Sequence, residues 1–112
     1  MINDYKFGHI TIDDVEYTSD VKIFPDRVES HWWREHGHRL AISDIKDILE
    51  EHPDILIIGT GSAGVMKVPE NVQKNIRDNG IELIIEHTGS ACKSFNKLSM
   101  TKYVVAALHL TC

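Results

Sequence analysis

The feature that most constrains this chain is a short apolar run that ends in a cluster of glycines. Ile55-Leu56-Ile57-Ile58 has no polar interruption, and Gly59-Thr60-Gly61-Ser62-Ala63-Gly64 follows it directly. A continuous apolar run of this length is typical of a central strand that is covered on both faces. The segment from Ile55 to Gly64 therefore predicts a buried strand followed by a tight glycine-rich turn. We expect this strand to be the centre of an α/β domain.

Short alternating patterns precede the central run and predict an antiparallel β front. The expected strands are residues 7–12, 15–18, 21–24 and 27–33. Asp13-Asp14 is the expected turn of the first hairpin. Glu35 to Arg39 is polar and contains a glycine, so we expect a loop there.

Helical and strand patterns alternate around and after the central run. Ser43 is expected to cap a first helix that ends before Pro53. A second helix should begin near Pro69 and end at Asn79-Gly80. A strand over residues 81–86, a third helix after Thr88 and a final strand over residues 103–110 complete the pattern.

These elements predict one α/β domain over residues 1–112. The expected architecture is three-layered, with a mixed central sheet flanked by helices and an additional small antiparallel sheet. The strand–helix–strand unit from Ile55 to Ile85 should be parallel. The hydrophobic fraction of 42% is sufficient for a core without disulfide or metal staples.

Charge and cysteine content exclude several classes of protein. The formal net charge of −5 argues against nucleic acid and against an anionic membrane surface as partners. Cys92 and Cys112 are far apart and do not resemble a disulfide framework. The sequence shows neither a leader peptide nor an apolar stretch of the roughly 20 residues that cross a bilayer. We therefore expect a cytoplasmic protein with reduced thiols.

The glycine cluster matches the pattern G-x-G-x-x-G through Gly59, Gly61 and Gly64. A dinucleotide site is one interpretation, with Glu86 where an acidic residue would meet a ribose. The β-branched residues and the proline in Val65 to Pro69 oppose this, because they prevent a helix from starting inside the motif. The favoured interpretation is a structural turn that needs positive φ or close packing.

A third interpretation is a cradle for a small anion or ligand. Exposed backbone N–H groups of the turn, with Thr60 and Ser62, would bind it. Arg34 could contribute a guanidinium fork. The candidate ligand-binding residues are Gly59, Thr60, Gly61, Ser62, Gly64 and Arg34.

Several sequence segments together resemble a known family. They are Ile57–Gly61, Val68-Pro69, Asn79–Ile81, Ala107–Cys112, Trp33-Arg34, Ala91 and Phe95-Asn96. They resemble the small proteins related to the mammalian adipogenesis-associated domain protein, with a mitochondrial complex I assembly factor as a more distant relative. The chain is most similar to a short prokaryotic or archaeal member. The resemblance implies a three-layer α/β domain with an extra antiparallel sheet. It offers no catalytic residue to carry over, and the relatives with a known role act through protein association.

Three further groups of residues have alternative interpretations. Arg27, Arg34 and Arg39 make one stretch locally basic, and Arg34 could instead stack on an indole or bridge to a carboxylate. His31, His36 and His38 could ligate zinc or nickel, but their spacing favours a polar surface loop. His109 and Cys112 suggest a thiol–imidazole pair, which an extended chain would project to opposite faces.

No coherent catalytic set emerges, so an enzyme is the less favoured interpretation and no cofactor or metal is expected. The leading hypothesis is a non-enzymatic protein-binding or assembly-type module with a protein partner still to be identified. The alternative is a small-molecule or anion-binding protein, conceivably an enzyme, that uses the turn from Gly59 to Gly64. A homodimer is a further option, because an exposed strand edge of the β front can pair across a twofold axis.

Overall fold

The computed structural model describes residues 1–112 and contains eight strands and three helices. The strands are β1 (Ile2–Lys6), β2 (His9–Ile12), β3 (Val15–Tyr17), β4 (Val21–Phe24), β5 (Arg27–Glu29), β6 (Ile55–Thr60), β7 (Glu82–Glu86) and β8 (Val104–His109). The helices are α1 (Lys46–Glu51), α2 (Glu70–Asp78) and α3 (Thr88–Leu98), and a 3₁₀ turn at Ile42–Ile45 leads into α1.

The strands form two sheets. The first is antiparallel with the order β1-β2-β3, and the second has five strands in the order β5-β4-β8-β6-β7. In the larger sheet β6 is parallel to both β7 and β8, whereas β4 is antiparallel to β5 and β8. The predicted mixed central sheet with a small antiparallel sheet is therefore confirmed.

The central strand β6 is buried on both faces, as its apolar run predicts. Ile55 and Ile57 join one apolar cluster, which also contains residues of α3 and of the small sheet. Leu56 and Ile58 join a second cluster on the opposite face, with residues of α1 and α2. Alternating side chains of one strand thus hold together the two outer layers of a three-layer domain.

The first helix begins differently from the prediction. Ser43 does not cap it; the carboxylate of Asp44 instead accepts N–H groups of Ala41 at 2.8 Å and Glu35 at 3.1 Å. The α-helical turns start only at Lys46, after the 3₁₀ turn. By contrast, α2 starts directly after Pro69, close to where the proline predicts it.

The β front also departs from the prediction in detail. Strand β1 was not predicted, because Ile2–Lys6 is largely polar and exposed. The expected strand over residues 7–12 starts only at His9, since Gly8 has a φ of +78° and turns the chain. The expected strand over residues 27–33 ends at Glu29, and His31, with a φ of +57°, redirects the chain beyond it.

Candidate functional site

The glycines at the end of β6 and just beyond it allow a close approach of other parts of the chain. Gly61 has a φ of +108° and Gly64 a φ of +72°. A Cβ on Gly61 would lie 2.5 Å from the carbonyl oxygen of Cys112. A Cβ on Gly59 would lie 2.8 Å from Oγ1 of Thr88. Positive φ and tight packing therefore account for these glycines, and α2 begins well beyond them at Glu70.

Three backbone N–H groups of the turn are hydrogen-bonded within the protein. The N–H of Gly61 donates to Oγ1 of Thr88 at 2.8 Å, and that of Ser62 donates to the carbonyl of Thr111 at 2.6 Å. The N–H of Gly64 donates to the carbonyl of Gly61 at 3.3 Å. These donors stabilise the turn and the chain terminus, so a ligand that used them would have to displace protein groups.

The candidate ligand-binding side chains lie apart. Ser62 lines a cavity of about 530 Å³, and Arg34 lines a separate one of about 350 Å³. Thr60 is buried, and its hydroxyl donates to the carbonyl of Glu86 at 3.2 Å. The structure therefore does not bring Thr60, Ser62 and Arg34 into a shared cavity, and ligand binding at the turn stays a prediction.

Arg34 belongs instead to a buried charged cluster where β4 meets the end of β8. Nη1 of Arg34 donates to Oδ2 of Asp20 at 2.8 Å, and Nδ1 of His109 lies 2.8 Å from the same oxygen. The N–H of Leu110 donates to Oδ1 of Asp20 at 2.8 Å. The Arg34 side chain is only 5% exposed. Both oxygens of the carboxylate are thus held by groups from distant parts of the chain.

Burial and hydrogen bonding act in opposite directions on the pKa of Asp20. Burial alone raises this pKa, because it disfavours the charged form. Hydrogen bonds from His109, the Leu110 N–H and Arg34 outweigh burial, and the pKa of the Asp20 carboxyl lies below its ordinary value. The carboxylate form is therefore the one that stabilises the fold.

Arg34 fulfils both alternatives that the sequence offered for it. It bridges to the Asp20 carboxylate, and its guanidinium carbon lies 4.7 Å from the centroid of the Trp32 ring. Nη2 donates to the carbonyl of Gly37 at 3.0 Å, whereas the buried Nε has no hydrogen-bond partner. These three interactions fix one side chain beside the cavity.

Three residues of metal-binding types, two histidines and a cysteine, converge at this cluster. One ligand atom each of His38, His109 and Cys112 lies within 4.8 Å of the other two. Sγ of Cys112 is 3.3 Å from Nε2 of His38. The expectation that His109 and Cys112 project to opposite faces is wrong, because β8 ends at His109 and the chain then turns against Gly61. Sequence spacing could not bring His38 into this group, since only the fold joins its loop to β8.

Trp33 is the most exposed large hydrophobic residue, with 83% of its surface accessible. It lines both the 350 Å³ cavity near Arg34 and a second cavity of about 590 Å³. Trp32 is buried, and its indole N–H donates to the carbonyl of Asp44 at 3.0 Å. The exposure of Trp33 was not predicted from the sequence.

No helix of the structure has both the length and the apolarity that crossing a bilayer requires. The fold places the chain among small α/β domains that combine a mixed five-stranded sheet with a second, antiparallel sheet. Within that class, the chain belongs to the family described as protein of unknown function (DUF498/DUF598), whose model matches residues 2–109.

Solved structures with the same fold cover nearly the whole chain. A conserved hypothetical protein from Pyrococcus horikoshii is 31% identical with a TM-score of 0.89, over 100% of this chain and 99% of its own. A protein from Bartonella henselae, described as an outer membrane protein, is 24% identical with a TM-score of 0.83, over 99% of this chain and 94% of its own. A Mth938-like domain from Bordetella pertussis is 19% identical with a TM-score of 0.73, over 98% of this chain and 85% of its own. The last two support the fold alone.

Proposed function

We propose that the protein is a non-enzymatic protein-binding module whose central contact residue is Trp33. The observation that carries the proposal is the 83% exposure of this indole, which lines two cavities. Its chain neighbours Trp32 and Arg34 are both buried and hydrogen-bonded, so the backbone that presents it is fixed. Tryptophan is enriched among the few residues that dominate the energy of protein interfaces.

The family resemblance supports the same proposal. The sequence segments that resemble the small proteins related to the mammalian adipogenesis-associated domain protein, with a mitochondrial complex I assembly factor as a more distant relative, imply action through protein association. An assembly-type role without a cofactor is therefore part of the proposal. So is a cytoplasmic location, which cell fractionation tests directly against membrane association.

The charge beside Trp33 favours a partner with basic side chains. The 590 Å³ cavity is lined by two lysines, Lys22 and Lys46, and by four acidic residues: Glu29, Asp44, Asp47 and Glu50. Lys22 in the same cavity is already paired, with its Nζ 2.5 Å from Oδ2 of Asp47 and 3.5 Å from Oε1 of Glu29. We expect a partner segment that places an apolar group against the indole and basic groups on the acidic side.

The test is an affinity purification at native expression level with wild-type protein, Trp33→Ala and Met100→Ala. Met100 is 82% exposed and serves as the matched control for loss of an exposed apolar side chain. The expected partner is retained by wild type and Met100→Ala and is lost with Trp33→Ala. Calorimetry with the purified partner should then show a loss of at least about 2 kcal/mol, or about 30-fold, for Trp33→Ala.

Two results would count against this proposal. One is the reproducible absence of a stable partner, and the other is equal binding by Trp33→Ala and wild type. A second copy of the chain is the alternative protein partner, because β3, β5 and β7 are edge strands. Sedimentation velocity over a range of protein concentrations distinguishes that homodimer from a heterologous complex.

A small anion is the second candidate ligand, and the cavity lined by Ser62 favours it. The hydroxyls of Ser62 and Ser90 and the ammonium group of Lys93 line this cavity at the start of α3. The turn from Gly59 to Gly64 would then shape the wall of the site and would contribute a hydroxyl instead of free N–H groups. Thermal-shift screening against phosphate, nucleotides and carboxylic acids tests this. A shift that Lys93→Ala abolishes supports anion binding, and unchanged melting of the wild type rejects it.

A further inference from the structure

We propose that His38, His109 and Cys112 form a binding site for a divalent transition metal ion of the zinc type. Their ligand atoms lie within 4.8 Å of one another, and Sγ of Cys112 is 3.3 Å from Nε2 of His38. Zinc binds nitrogen at about 2.0–2.1 Å and sulfur at about 2.3 Å, which places the ligands of one tetrahedral ion about 3–4 Å apart. Small side-chain rotations therefore bring all three atoms to one ion.

The buried cluster orients His109 for this role. Its Nδ1 lies 2.8 Å from Oδ2 of Asp20, and the ring is only 7% exposed. A carboxylate that accepts the Nδ1 proton leaves the Nε2 lone pair free, which is the arrangement found behind many metal-bound histidines. The same carboxylate pairs with Nη1 of Arg34 at 2.8 Å, and Nη2 of Arg34 lies 3.1 Å from Nδ1 of His109, so Asp20 and Arg34 together hold the ring in place.

Backbone contacts hold Cys112 in place. Its carbonyl accepts the N–H of Val65 at 2.9 Å, and the preceding carbonyl of Thr111 accepts the N–H of Ser62 at 2.6 Å. The thiol is partly exposed and is not in a disulfide. The close packing that requires glycine at position 61 thus also fixes the sulfur ligand.

His38 supplies the ligand that faces solvent. Its side chain is exposed, and its carbonyl accepts the N–H of Lys67 at 2.8 Å, which anchors the loop. Thiolate and imidazole ligands favour zinc over magnesium or calcium. Three protein ligands at a partly exposed position leave a fourth coordination place for water, so a bound ion would tie the loop of His38 to the end of the chain.

Trp33 contributes no ligand to this site, although His109 also lines the 350 Å³ cavity beside the indole. Untagged, reduced and chelator-treated wild-type protein is titrated with Zn²⁺ by calorimetry and with Co²⁺ by absorption spectroscopy. We expect one equivalent of Zn²⁺ to bind with micromolar or tighter affinity. Co²⁺ should give a sulfur-to-cobalt charge-transfer band together with the intense visible bands of tetrahedral geometry.

Variants at solvent-accessible positions distinguish metal binding by the proposed ligands from adventitious metal binding elsewhere on the protein. Cys112→Ser should abolish the charge-transfer band, and His38→Ala should weaken Zn²⁺ binding at least about tenfold. His36→Ala, in the same exposed loop but outside the group, should bind as wild type does. Circular dichroism of each variant verifies the fold.

Three results would overturn the proposal. They are the absence of Zn²⁺ binding by wild type, a Co²⁺ spectrum without thiolate character, and equal losses for His36→Ala and His38→Ala. If Cys112→Ser fails to fold, the comparison of the two histidine variants still decides the question.

Discussion

The hydroxyl of Thr88 connects three parts of the fold that are far apart in sequence. It donates to the carbonyl of His109 at 2.6 Å and accepts the N–H of Gly61 at 2.8 Å. Thr88 is completely buried at the first residue of α3. Substitution of this one hydroxyl therefore tests how strongly the glycine turn depends on its neighbours.

The substitution Thr88→Val keeps the shape of the side chain and removes both hydrogen bonds. Each buried polar group left without a partner costs about 1–3 kcal/mol, and the added methyl group returns about 0.8 kcal/mol. We therefore expect the free energy of unfolding to fall by about 1–5 kcal/mol. Thr88→Ser keeps the hydroxyl and loses one methyl group, for which we expect a loss of about 1 kcal/mol.

Equilibrium unfolding in urea, followed by circular dichroism and tryptophan fluorescence, measures both variants. The midpoint should fall more for Thr88→Val than for Thr88→Ser, with an unchanged dependence on denaturant concentration. The reasoning is refuted if Thr88→Val lies within about 1 kcal/mol of wild type. It is also refuted if Thr88→Ser is the less stable of the two variants.

Three further predictions concern other parts of the same region. Gly61→Ala should lower the free energy of unfolding by about 2–5 kcal/mol, because it combines a positive φ with a backbone collision; Gly89→Ala, where a Cβ meets nothing within 4 Å, should be neutral or slightly stabilising in the same urea assay. Asp20→Asn should destabilise the protein by about 3–5 kcal/mol at neutral pH, because it leaves a buried guanidinium unpaired. Since the pKa of Asp20 is lower in the folded state, its carboxylate stabilises the folded protein at pH values above the ordinary carboxyl pKa. When chelator-treated protein is titrated with acid below that range, the difference in free energy of unfolding between wild type and Asp20→Asn should therefore shrink. Burial raises the pKa of Cys92 to about 12, so iodoacetamide at neutral pH should alkylate Cys112 and leave Cys92 unmodified until the protein is denatured, as mass spectrometry will show; rapid labelling of Cys92 in the native state contradicts this.

Periodicity predicted the elements whose two sides differ clearly or are both apolar. Strand β6 follows from four consecutive large apolar residues, and α2 follows from Pro69 before it and Asn79-Gly80 after it. Strand β1 escaped prediction because a polar edge strand has no pattern that separates it from a loop. The structure of β1 depends on its hydrogen bonds to β2 and on the hydrogen bond from the Ile2 N–H to the Asn96 side chain. Both kinds of bond form only in the folded protein, so the local sequence does not reveal them.

The buried cluster could not be predicted because it depends on strand order. The antiparallel pairing of Val21 with Leu108 places Asp20 beside His109. Nothing in the local sequence of either strand specifies that β8 lies between β4 and β6. The sequence indicated a carboxylate or an indole as the partner of Arg34. That the carboxylate is Asp20 follows only from the position of β8 between β4 and β6.

The position of β8 in the larger sheet has a consequence for the kinetics of folding. Strand β8, the last strand in the chain, lies between the antiparallel pair β4–β5 and the parallel pair β6–β7. It is the strand that joins these two pairs into one sheet. The two halves cannot form a continuous sheet until residues 104–109 are available. Pairing β4 with β8 also closes a long loop, and the entropic cost of closing it is paid before the stabilising contacts form, which slows folding. During synthesis on the ribosome, β4 and β6 would therefore each keep an unpaired edge until β8 emerges. Completion of the domain would be a late, cooperative event.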